Sequence, residues 1–247
     1  MSTDTTKTDH RQRDVYAVLF ALVLPTFVTL AYFVWSDGMH AGLRQGIYAV
    51  AKVVQFLLPI VWVVFVQRQR PRFGFKSRNG LVLGIGFGVA VLVAALGLYH
   101  GWLSKSEVFV DGTAAIREKI ASLGVGSVWR FAAMGVFYSL VHSLLEEYYW
   151  RWFVFDQLKR LISVGGAIAV SSLGFMAHHV LVVGEFFGYG SPLTWLLSAA
   201  VAIGGWFWAW LYHRSGSLIG PWLGHLLVDA AIFVIGYEIA KPLFGGS

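Results

Sequence analysis

Residues 144–151 read LLEEYYWR. The run WRFAAMGVFYSLVHS (129–143) precedes them and WFVF (152–155) follows. Two adjacent carboxylates, Glu146 and Glu147, and one guanidinium, Arg151, therefore sit inside a stretch otherwise apolar enough to lie in lipid. A charged residue at the centre of a bilayer costs about 2.5–3.5 kcal/mol on insertion scales. The reading of the chain turns on why this segment carries three of them.

The surroundings settle the class. The chain has 247 residues, 57% of them hydrophobic and 13% charged, with a mean hydropathy of +0.66. Soluble domains carry roughly 25% charged residues. Apolar runs near 20 residues recur and predict seven spans, at about 15–35, 46–67, 80–102, 128–157, 164–184, 193–212 and 217–240. The expected fold is all-α: a polytopic transmembrane helix bundle with a polar active-site cavity inside the bilayer.

The basic connection QRQRPRFGFKSR (67–78) has no acidic residue. The positive-inside rule puts it in the cytoplasm, along with the N-terminal tail and the turns at Lys159 and Arg214. This predicts a multi-pass protein of the cell membrane. The net charge of +6 collects at span ends, so topology accounts for it and no nucleic-acid partner is expected. The polar stretch MSTDTTKTDHRQRD (1–14) reads as a disordered cytoplasmic tail, followed by a retained first span without a signal-peptide cleavage site. The stretch 103–127 mixes both charge signs and is expected as an amphipathic segment on the outer surface. Residues 15–127 thus form an N-terminal group of spans plus that segment, and 128–240 a second group. Gly84 with Gly88, Gly184 with Gly188, and Gly220 with Gly224 are expected to permit close helix approach. With no cysteine, thiolate ligands, cysteine nucleophiles and disulfides are excluded.

Intramembrane polar residues gather in the second group: Glu146, Glu147 and Arg151, then His178 and His179, then His225 and Asp229. Lys52 is alone in the first group and is expected to snorkel. Side chains four apart share a helical face, so Glu147 meets Arg151, His142 meets Glu146, and His225 meets Asp229. At about 1.5 Å per residue, Glu146, His179 and His225 lie roughly 16, 22 and 15 Å from the cytoplasmic ends of their spans. All three can reach one cavity. Alone, Glu147 and Arg151 would be a self-neutralising pair, His178 a packing histidine bonded to a neighbouring carbonyl, and His225 a packing histidine. Three spans bearing the cost together argue for a functional set of Glu146, His179 and His225.

Carboxylate and imidazole without a nucleophile point to activation of water. Ser139, Ser143, Ser171 and Ser172 lack a nucleophile context, and HExxH is absent. A carboxylate takes a proton from water, imidazoles position it and another group holds the oxyanion. Alternatively Glu146, His179 and His225 ligate zinc with water as fourth ligand. Both versions remain open in the sequence. An ion-coupled transporter is the competing class, disfavoured by the lack of an inverted repeat; a non-catalytic scaffold or immunity protein is the third.

EEYYWR (146–151), FMAHH (175–179) and HLLVD (225–229) follow the pattern EExxxR, FxxxH and HxxxD/N on successive spans. In that order they resemble the CPBP (ABI) family of intramembrane proteases, which includes the type II CAAX prenyl endopeptidases. The resemblance covers about residues 128–240 and implies a catalytic membrane core there that cleaves a membrane-associated protein or peptide. It implies Glu146 as base or ligand for the attacking water with His179 as partner, Glu147 and Arg151 orienting it, and Phe175 packing beside His179. His225 and residue 229 would face the oxyanion or complete the water site. The family has been described as metallo- and as glutamate-type, so the zinc question stays open. The prenyl endopeptidases commonly end the last motif in Asn; Asp229 is expected instead to orient His225 by accepting from its ring. Trp150, Trp152, Phe155 and Phe175 are expected along the cavity wall.

Overall fold

The computed structural model describes residues 2–35, 38–74, 78 and 80–244. Among them no residue is in a β-strand, and seven helices are long and apolar enough to cross a membrane. The protein is a multi-pass membrane protein. Helix α1 covers Ser2–Leu30 and continues in wider π turns over Ala31–Trp35. Helix α2 covers Ala41–Val61 and continues likewise over Trp62–Val66. Then come α3 (Leu81–Gly101), the amphipathic α4 (Glu107–Ser122), α5 (Val128–Leu158), α6 (Val164–Phe187), α7 (Pro192–Ser215) and α8 (Ile219–Ala240). The polar N-terminal stretch is helical from Ser2 on, where the sequence suggested a disordered tail. Extending an existing helix needs no new nucleus, so the apolar span can propagate backwards.

Local chemistry marks the helix ends. Ser163 and Ser191 accept from the backbone N–H of Gly166 and Leu193 (3.2 Å each), capping α6 and α7. Pro192 occupies the first turn of α7, where its missing N–H costs nothing. Gly216, at φ 64°, ends α7 in the left-handed region. Pro25 lies inside α1 and cannot donate to the carbonyl of Ala21. That carbonyl instead accepts from the Tyr149 hydroxyl of α5 at 2.7 Å. A sequence defect in one span thus becomes a tie to the helix that carries the carboxylates.

In lipid the apolar effect contributes little between helices, so close packing and polar ties hold the bundle. Helices α3 and α8 meet through glycine. A Cβ on Gly84 would collide with the backbone of Gly220, and one on Gly88 or Gly224 with the carbonyl of the glycine facing it. The expectation for these four residues holds. It fails for Gly184 and Gly188: Gly184 backs the Tyr189 ring, and Gly188 ends α6 at φ 82°. Helix α4 lies across one end of α6 and α8, with Phe109 stacked on Phe187 (5.4 Å) and Arg117 Nε donating to the Ile239 carbonyl (2.8 Å). The second half of α5 is the most enclosed segment: Tyr149, Trp150, Phe153, Val154 and Phe155 are fully buried, among Phe175 of α6, Trp208 and Tyr212 of α7 and Leu218.

Candidate active site

Helix α5 is not uniform. A short α-helical stretch, Ser143–Glu147, lies between π-helical turns at Phe137–His142 and Tyr148–Phe155. Such widened turns recur at functional sites. Glu146 and Glu147 end the regular stretch and both point inward, 4% and 0% exposed.

Glu146 sits among imidazoles from three helices. Its Oε2 lies 3.8 Å from His142 Nδ1, one turn back on α5, and 3.7 Å from His225 Nε2 of α8. Its Oε1 lies 3.6 Å from His178 Nε2 of α6. Glu146, His178 and His179 each offer one ligand atom, all within 4.8 Å of one another. His179 Nδ1 lies 2.8 Å from the Phe175 carbonyl. A carbonyl only accepts, so Nδ1 carries the proton and Nε2 keeps its lone pair. That tautomer suits a metal ligand or an acceptor from water.

Glu147 serves a different neighbour. Its Oε1 accepts from His225 Nδ1 at 2.8 Å, and its Oε2 is 3.1 Å from Arg151 Nε. The second contact is an ion pair by distance without the alignment of a hydrogen bond. Arg151 is buried, lies over the Phe175 and Trp208 rings (4.8 and 5.3 Å), and donates from Nη2 to the Gly205 carbonyl at 3.4 Å. Trp208 stacks on His225 at 4.3 Å and 16°. Carboxylate and indole fix the imidazole, and the guanidinium holds both of them from behind.

Asp229 differs from expectation. Its Oδ1 is 3.6 Å from His225 Nε2, beyond hydrogen-bond range. The ring's donating nitrogen is taken by Glu147 on another helix, so the one-turn spacing within α8 does not decide the partner. His178 differs too: the sequence reading gave it to packing, yet it reaches Glu146. Its ring stacks parallel to Trp150 at 5.8 Å and 3°. The three-residue group suited to a metal contains His178 where the sequence reading placed His225. Lys52 does not simply snorkel; its Nζ lies over Tyr48 and Phe56 (5.6 and 5.7 Å) and within electrostatic range of Glu146.

Of the expected wall, Phe175 touches the rings of His178, His179 and His225 at 4.7–5.9 Å, and Trp150 covers His178. Phe155 instead packs on Tyr212 and His213. Trp152 packs on Phe73 and donates to the Arg72 carbonyl at 3.0 Å. Both lie beyond the carboxylates along α5, with partners outside the cluster.

The donor set fits a divalent cation of the zinc type: two imidazoles and a carboxylate converge, and one ring is already held in the ligating tautomer. Without metal, the same groups can hold a water against a carboxylate. No curated protein and no solved structure matches the chain. The family described as "Type II CAAX prenyl endopeptidase Rce1-like" matches residues 128–231, a segment that holds all three motifs. Residues 128–231, a little under half of the chain, are thus similar to the type II CAAX prenyl endopeptidase Rce1-like family, a family of proteases.

Proposed function

We propose that the protein is an intramembrane endopeptidase that hydrolyses an amide bond of a membrane-associated protein or peptide at Glu146. The observation that carries this reading is the Glu146 carboxylate, buried and within 3.6–3.8 Å of imidazoles from α5, α6 and α8. A transporter needs such groups strung along a path; here they surround one point.

In this reading Glu146 accepts a proton from a water held beside His178 and His179. The water oxygen bonds to the scissile carbonyl carbon, and the carbonyl π pair moves onto its oxygen. On collapse the C–N bond breaks, and Glu146 passes the proton to the leaving amine nitrogen. His225, its Nδ1–H held by Glu147 beside Arg151, donates from Nε2–H to the developing oxyanion when the ring carries its second proton. A metal held by Glu146, His178 and His179 would supply a more acidic water and polarise the carbonyl. Phe175 and Trp150 would bound the substrate cleft on its apolar side. Residues 128–240 form the catalytic core, residues 15–127 support it, and the N-terminus faces the cytoplasm.

The test is mass spectrometry of membrane-protein termini from cells carrying wild-type protein or Glu146→Gln at equal abundance. A new terminus present with wild type and lost in the variant names the substrate and the bond. Identical termini, with any phenotype retained, would leave a non-enzymatic scaffold.

A further inference from the structure

Two adjoining cavities of ≈ 460 and ≈ 670 Å³ lie where α2 and α5 end, far along α5 from Glu146. Arg70, Arg72, Arg160 and Asp156 supply the charged lining of the first, and Arg13, Asp14, Arg68 and Arg160 that of the second. Span-end arginines often serve topology alone, and such residues need no fixed placement. These have it. The segment that bears them is tied by its backbone at three points. Gln69 N–H donates to the Val63 carbonyl (2.9 Å), the Trp152 indole to the Arg72 carbonyl (3.0 Å), and Leu218 N–H to the Gly74 carbonyl (3.0 Å). Gly74 lies so close to Gly216 that a Cβ would collide with its carbonyl. Arg68 is held at φ 54°, the one left-handed non-glycine residue among those described; that conformation costs an L side chain roughly 1–2 kcal/mol. Strain of this kind collects at ligand clamps.

The charge is also unspent. Asp14 lies beside Arg13 at 3.9 Å and Asp156 beside Lys159 at 2.5 Å. Arg68, Arg70, Arg72 and Arg160 form no ion pair among the described residues. Guanidinium forks match phosphate oxygens. Phe65, 74% exposed, lines the second cavity. It offers an apolar surface that a free anion has no use for and an acyl chain does. We propose that these cavities form a binding site for an anionic phospholipid, its phosphate held by Arg68, Arg70, Arg72 and Arg160 and its chains lying along Phe65 on the lipid side of α2. The site does not depend on the proteolytic reading, since no residue of the carboxylate–imidazole cluster lines it.

Native mass spectrometry of the full chain in a neutral detergent tests this, with phosphatidylglycerol, phosphatidylcholine or inorganic phosphate as the titrant. Wild type is expected to retain phosphatidylglycerol in preference to phosphatidylcholine, with excess inorganic phosphate failing to displace it. Binding should weaken by about fivefold for each arginine removed in Arg70→Gln/Arg72→Gln/Arg160→Gln. The double variant Arg11→Gln/Arg214→Gln removes equal charge per site at the same end outside the cavities and should bind as wild type does. Equal weakening in that control, equal retention of the two lipids, or full displacement by inorganic phosphate would each overturn the proposal. Melting of each variant in the same detergent without lipid reports folding. If the triple variant fails to fold, single Arg70→Gln and Arg160→Gln substitutions carry the same comparison.

Discussion

His225 and Glu147 are 78 residues apart in sequence and 2.8 Å apart in space, joined Nδ1 to Oε1. Behind Glu147 stands Arg151, which has no other carboxylate within ion-pair distance among the described residues. The carboxylate is shared between the imidazole it orients and the cation it neutralises.

Removing that charge leaves a guanidinium buried without a counter-ion. Breaking one partner of a buried pair typically costs about 3–5 kcal/mol. Glu147→Gln is expected to destabilise the protein by that amount in denaturant or thermal unfolding. The double variant Glu147→Gln/Arg151→Met should recover most of the stability and little of the cleavage, since His225 is then held by a neutral amide oxygen in place of a carboxylate.

Glu146 makes no comparable structural pair; its imidazole contacts are all 3.6 Å or longer. Glu146→Gln is therefore expected to insert and melt much as wild type does. Its cleavage rate should fall about 10²–10⁴-fold, the usual contribution of a positioned acid or base. Rate and melting temperature measured on one preparation separate these outcomes.

His178 offers a sharper comparison. Phenylalanine at this position would keep a ring stacked on Trp150 and lose the nitrogen that faces Glu146. If the residue orients the site, His178→Phe should lower cleavage about 10–100-fold with the fold intact. A histidine that only packs would tolerate the change, and equal turnover would remove His178 from the machinery.

The glycine seam predicts opposite signs for neighbouring positions of α3. Gly84→Ala forces a methyl against the Gly220 backbone and should destabilise by about 1–3 kcal/mol. Gly86 faces open space, so Gly86→Ala should be neutral or stabilise by about 0.5–1 kcal/mol through helix propensity. Unfolding of the two variants side by side checks the pair.

The seven spans and the second-half polar residues were legible because lipid is an unforgiving solvent: apolar runs and buried charges both stand out in a one-dimensional pattern. What failed depended on three-dimensional competition. Asp229 is the natural partner of His225 by helical spacing, but Glu147 on α5 comes closer. His178 and His179 are adjacent, and no pattern says that both reach one carboxylate. Trp152 and Phe155 pack on Phe73 and on Tyr212 and His213 away from the carboxylates, and no residue in YYWRWFVF announces the π turns that carry them. Gly184 and Gly188 share the spacing of the α3–α8 glycines, but the first backs the Tyr189 ring and the second ends α6. The tie from Tyr149 to the Ala21 carbonyl was half visible, since Pro25 must leave that carbonyl without its usual donor.

The contact between Gly84 and Gly220 links two parts of the chain with different standing: α3 lies outside the Rce1-like match, whereas α8 bears His225. Backbone against backbone admits no sliding, and a slip of one turn would lift the imidazole by about 5.4 Å and out of reach of both glutamates. The unmatched half of the protein thus acts as a depth gauge for the matched half. The few glycines along its inner edge set the level at which His225 of α8 meets the two glutamates of α5.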